Sequence, residues 1–150
     1  MYTFERIQTI AAPINELWNF MSSPFNLQKI TPPYMGFNII NKDLPEKMYA
    51  GMIISYKVSP LMGIKMKWVT EITHVKEMKY FVDVQQEGPY RFWHHEHHFE
   101  VSGNGVLITD ILNYSPPFGI IGKFANKFLI EKKLNEIFEF RKLKLNQIFG

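Results

Sequence analysis

Six successive segments rich in β-branched and aromatic residues, followed by one long stretch of helical spacing, constrain this 150-residue chain more than any other feature. Residues 37–41, 52–58, 64–75, 80–86, 90–101 and 106–115 are each bounded by Gly, Pro, Asn or Lys-Glu turns, the punctuation found between strands. Connections this short join antiparallel neighbours, so the six segments predict a meander rather than a parallel sheet. After Pro116-Pro117 the pattern becomes helical. Ile121, Phe124, Phe128, Leu134, Ile137, Phe138, Leu145 and Ile148 then recur at helical intervals to the end of the chain. A helix with one apolar side must cover another surface, and the meander is the only large one available.

The N-terminal part completes the layout. Residues 2–10 read as a first strand, with Phe4, Ile7 and Ile10 among polar neighbours. Ala12-Pro13 opens a short helix whose apolar side is Leu17, Trp18, Phe20 and Met21. Ser22-Ser23-Pro24 breaks it, and residues 25–30 form a second short helical piece ended by Thr31-Pro32-Pro33. Strand, two short helices, six strands and a long helix give an α+β fold with a seven-stranded curved antiparallel sheet. The sheet must twist and curl to bury the helix, and the void left between them is the kind of concavity where small ligands bind.

Composition narrows the function classes. The length suits one domain spanning residues 1–150, and 46% hydrophobic with 15% aromatic content supplies a core, which argues against disorder. There is no cysteine, so disulfides, thiol catalysis and thiolate metal sites are excluded. Met1 to Arg6 shows no basic segment leading into an apolar run, and no apolar run approaches the roughly 20 residues of a membrane span. A soluble, cytoplasmic protein without stable membrane insertion is expected, as a monomer or a homodimer. The net charge of +3 is uneven: residues from Pro116 onward carry seven basic and three acidic side chains, read here as the solvated face of the last helix. No helix-turn-helix, zinc finger or aromatic–basic surface accompanies them, so nucleic acid is not an expected partner.

Several phrases carry a family likeness. They are Ile10-Ala11-Ala12-Pro13 leading to Leu17-Trp18, Pro24-Phe25-Asn26-Leu27 with Ile30-Thr31-Pro32, and Phe81-Val82-Asp83 with Gln85. Gly88-Pro89-Tyr90 then runs into Trp93 and into His95-Glu96-His97-His98-Phe99-Glu100, with Asp110, Tyr114 and Pro116 completing the set. Together they resemble the SRPBCC superfamily, the helix-grip proteins that include START lipid-transfer domains, birch-pollen-allergen-like proteins and polyketide cyclases, and within it an uncharacterised bacterial ligand-binding branch. The resemblance implies a helix-grip fold. It leaves the function open, because the superfamily includes carriers, cyclases, hydrolases and sensors.

The last hairpin sets its own register. Ser102-Gly103-Asn104-Gly105 tolerates a tight turn that pairs Val101 with Val106. Phe99 then faces Ile108, His97 faces Asp110, His95 faces Leu112 and Trp93 faces Tyr114, all on one side of the sheet together with Arg91. This more apolar side is assigned to the helix. In the preceding hairpin a three-residue turn would pair Gln85 with Arg91 and Asp83 with Trp93, turning Asp83 and Gln85 inward. A two-residue turn would turn them outward, and the recurrence of the Phe-Val-Asp phrase in the resembled family favours the first.

Two functions fit this arrangement. In the first, the cavity binds or carries a small hydrophobic molecule: a lipid, polyketide, isoprenoid or aromatic compound. Trp93, Phe99, Ile108, Leu112, Tyr114, Phe124 and Phe128 then supply apolar wall, and Asp83, Gln85, Arg91, His95, His97 and Asp110 orient a polar end. In the second, implied by the cyclases, His97–Asp110 acts as general base and Arg91 stabilises an oxyanion in a cyclase or dehydratase reaction. His95, His97 and Asp110 are also zinc- or iron-type ligands, but no fourth ligand stands near them, and no metal or other cofactor is expected.

Overall fold

The computed structural model describes residues 1–60 and 63–150. Its strands are β1 (Tyr2–Ile10), β2 (Asn38–Ile39), β3 (Met52–Val58), β4 (Met66–Lys76), β5 (Tyr80–Glu87), β6 (Phe92–Ser102) and β7 (Gly105–Ser115). They form one antiparallel sheet in the order β1-β7-β6-β5-β4-β3-β2, a meander closed at its far edge by the first strand. Two register shifts where β4 meets β5, at Val69/Thr70 and Ile72/His74, are bulges of the kind that sharpen twist. Helix α1 (Ile14–Met21) and a 3-10 helix (Pro24–Ile30) follow β1. Helix α2 (Gly119–Ala125), a π-helical turn (Asn126–Ile130) and α3 (Glu131–Phe149) complete the chain. This is the helix-grip fold, with the expected element order.

The inner face of the sheet is built by strand alternation. In β6 and β7, His95, His97, Phe99, Val106, Ile108, Asp110, Leu112 and Tyr114 are buried. In β1 the same alternation buries Ile10 and leaves Ile7 exposed on the outer side. α1 inserts Leu17 and Trp18 against Phe99, Ile108 and Leu145. A second cluster joins Trp68, Tyr90, Leu112 and Tyr114 to Ile130 and Leu134.

The π-turn decides which side of the C-terminal segment faces the sheet. Its wider winding lets steps of four residues hold one face, so the inward positions run Gly122, Asn126, Ile130, Leu134 and Phe138, and continue through Arg141 to Leu145. Gly122 sits so close to the chain that an added Cβ would lie 2.1 Å from the Pro117 carbonyl oxygen. Asn126 accepts a 2.6 Å hydrogen bond from the Tyr114 hydroxyl. Phe124 and Phe128 therefore point outward and are 67% and 69% exposed, with Ile121 exposed beside them. They are not cavity walls. Among the described residues, no helix is long and apolar enough to cross a membrane.

Leu145 is fully buried whereas Phe124 is exposed, so their truncations separate cleanly. Leu145→Ala is expected to cost about 2–5 kcal/mol of stability, and Phe124→Ala less than about 0.5 kcal/mol. Urea denaturation of both variants checks this; equal losses would contradict the inward face described here.

Candidate functional site

Three adjacent strands bring two carboxylates and two imidazoles together under α3. Asp83 of β5 pairs in register with His95 of β6, and His97 of β6 pairs with Asp110 of β7. His95 and His97 are two residues apart and so point to the same side. Their ring centroids are 3.8 Å apart, and the His97 ring also stacks on Phe81 at 4.1 Å.

The polar contacts run through this stack. His95 donates Nε2–H to Asp110 Oδ1 at 2.9 Å, and His97 donates Nε2–H to Asp83 Oδ2 at 2.6 Å. His97 Nδ1 lies 3.1 Å from Asp110 Oδ1 but off the direction a hydrogen bond needs, so that contact is a charge contact. The expected His97–Asp110 pair is present, in register and in contact at 3.1 Å, and Asp110 also accepts a hydrogen bond from His95.

Burial and charge divide the four groups. Burial would raise both carboxyls, but the histidine contacts outweigh it and hold Asp83 and Asp110 below the usual carboxylate range. Burial would also lower His97, and its contacts with the Asp110 and Asp83 carboxylates overcome this and raise it. His95 moves the opposite way, lowered by burial and by the charge on His97. The carboxylates thus favour the charged form at His97, while burial and the neighbouring ring favour the neutral form at His95.

A cavity of about 140 Å³ opens between this cluster, α3 and the early helical segment. Its wall is mostly apolar, including Ile54, Trp68, Phe81, Trp93, Leu134 and Phe138. Asp83, His95 and His97 reach the wall, while Asp110 is 1% exposed behind them. Other expected site residues lie elsewhere. Phe99, Ile108, Leu112 and Tyr114 are packed in the core rather than on the wall. Gln85 clamps the β5–β6 loop, donating to the Tyr90 carbonyl at 2.7 Å and accepting from the Tyr90 N–H at 3.2 Å. That clamped loop is longer than the three-residue turn expected, so Asp83 meets His95 and not Trp93, though still facing inward. Arg91 falls within the loop, is exposed, and takes no place on the wall.

The wall holds polar residues that the sequence reading does not place there, among them Asn26, Thr70, Lys133 and, most buried of its charged groups on α3, Arg141. Arg141 of α3 lines the cavity and is 7% exposed, with Nε and Nη1 buried and without a hydrogen-bond partner. Counted among the basic residues of the helix, it was assigned to a solvated face. Its spacing in the series Leu134, Phe138, Arg141, Leu145 places it on the apolar stripe, which is the signal that could have found it.

Asp83, His95 and His97 also place one donor atom each within 4.8 Å of the others. Asp83 Oδ2 and His97 Nε2 are 2.6 Å apart. Two ligands on a tetrahedral ion at about 2.0–2.1 Å stand about 3.3 Å from each other. In this arrangement the pair is joined by a proton.

No family model matches this sequence, and no curated protein matches it as a relative. Solved structures do. Protein Ms6760 from Mycobacterium smegmatis is 18% identical with a TM-score of 0.69, over 97% of this chain and 92% of that one. TTHA0849 from Thermus thermophilus is 18% identical at 0.69, over 97% and 95%. Ginseng major latex-like protein 151 from Panax ginseng is 12% identical at 0.68, over 99% and 97%. The likeness is one of fold.

The cluster makes the stability pH-dependent. Asp110 has a depressed folded value, so its contribution is complete above the unfolded carboxylate range near about 4 and is lost as pH falls below it. Asp110→Asn is expected to cost about 3–5 kcal/mol at neutral pH, with the gap to wild type shrinking toward about pH 3. Denaturation of both proteins across that range checks it, and a gap independent of pH would contradict the ionised assignment.

Proposed function

We propose that residues 1–150 form a single ligand-binding domain of the SRPBCC type, which binds or carries a small, largely apolar molecule in the cavity between sheet and α3. The observation that carries this reading is the cavity itself: an apolar wall interrupted by a few convergent polar groups, placed where the curled sheet and the helix cannot close on each other. Its volume narrows the chemistry. A cavity of 140 Å³ is close to the roughly 150 Å³ that admits a benzene molecule, which favours a single ring or a short branched chain over an extended lipid. Apolar walls then supply affinity at about 25 cal/mol per Å² of surface buried.

A cyclase-type reaction has less support. The residue meant to stabilise an oxyanion, Arg91, is exposed and off the wall. His97, meant as the base, stands against two carboxylates, Asp83 at 2.6 Å and Asp110 at 3.1 Å, which favour its protonated form over the free base.

Trp68 and Trp93 line the cavity in edge contact, their centroids 5.0 Å apart, so indole fluorescence reports occupancy directly. A panel of monocyclic aromatics, short isoprenoids and long-chain lipids is expected to shift this fluorescence for the compact members only. A compact ligand at about 100 times its Kd should also add about 2.7 kcal/mol to unfolding stability. Silence across the panel would end the binding reading, and turnover of a bound compound would replace it with an enzymatic one.

A further inference from the structure

Resting on the reading of the cavity as a ligand site, we infer that its ligand carries an acidic oxygen group, a carboxylate on a small apolar body, received by Arg141. A buried guanidinium is expensive to leave without acceptors, and here two of its nitrogens, Nε and Nη1, are buried and unpartnered in a side chain that lines the cavity. A second donor on the wall is in the same condition: Trp68 Nε1 is buried without a partner, and Trp68 also lines the cavity. No hydrogen bond joins these three donors to an acceptor among the described residues. Asp83 meets His97 through Oδ2, and no ion pair within 4.0 Å joins Arg141 to any carboxylate among the described residues.

The unmet demand is therefore for acceptor oxygens. A ligand carbonyl or hydroxyl would answer it in part, but hydrogen bonds between a guanidinium and a carboxylate are about twice as strong as neutral ones. Charge favours the acid at that end. Each aspartate of the cluster already has a histidine against it, which leaves Arg141 as a positive group on the wall with no carboxylate within 4.0 Å among the described residues. The space limits the rest of the molecule to about one ring.

Benzoate, benzamide and toluene are matched probes of nearly one size, and titration calorimetry of each against the intact protein tests the inference. Benzoate should bind about tenfold or more tightly than benzamide, and Arg141→Met should erase that preference while toluene binding persists. Trp68→Phe, which removes one donor and keeps an aromatic wall, should weaken benzoate more than toluene. Toluene or benzamide binding as well as benzoate in the wild type would overturn the acidic ligand while leaving the cavity reading intact, as would benzoate binding unaffected by Arg141→Met. Failure of all three probes to bind would overturn both.

Discussion

Two carboxylates buried beneath a helix need positive partners within the same fold, and most of this architecture follows from where those partners come from. Asp110 is almost inaccessible and Asp83 is half-buried, and an unpaired charge at Asp110 would cost several kcal/mol. The answer is given by β6, which sends His95 and His97 to one face between the two aspartate strands. This ties the cluster to register. A slip of one residue in β6 would replace His95 and His97 by His94 and Glu96, setting a third carboxylate between the first two. The polar cluster thus selects one alignment of β5, β6 and β7, where apolar alternation alone would discriminate less sharply.

The strands were legible because their signals are local. β1 and β3 fall where alternation and turn residues placed them, and the tight turn at Ser102–Gly105 gives the β6–β7 register residue by residue. The β5–β6 hairpin was only half legible. Its loop is held by Gln85 folding back onto Tyr90, a side-chain contact with no periodicity, so the pairing lies two residues from the expected one. Because the error is even, Asp83 keeps its face, and the inward placement of the carboxylate survives a wrong partner.

The C-terminal segment was misread for a different reason. Its periodicity was treated as one α-helix, but the π-turn at Asn126–Ile130 changes the phase, and Gly122 and Asn126 take inward positions that a hydrophobicity pattern would never assign them. Phe124 and Phe128 are exposed as a result. Downstream of the turn the regular phase returns, and there the difficulty was Arg141, since charge counted over a whole helix hides one guanidinium on its apolar stripe. Both misses concern the C-terminal helical segment: the π-turn shifts the phase of its first part, and a charge tally overlooks position on the stripe of its second.

Sheet and helix both bring polar groups to the cavity. On the sheet side each aspartate is met by a histidine, and Trp68 Nε1 is left as the unpaired donor of the wall. On the helix side Arg141 brings two more donors that α3 cannot itself satisfy. What holds α3 in place otherwise is apolar packing through Leu134, Phe138 and Leu145, together with surface contacts such as Arg6 to Glu139 at 2.9 Å and to Asn135 at 2.6 Å. The exposed pairs contribute little. The unpaired donors of the cavity thus come from both of its sides, Trp68 from the sheet and Arg141 from the helix. The proposed guest would have to meet both while packing its body on the apolar wall between them.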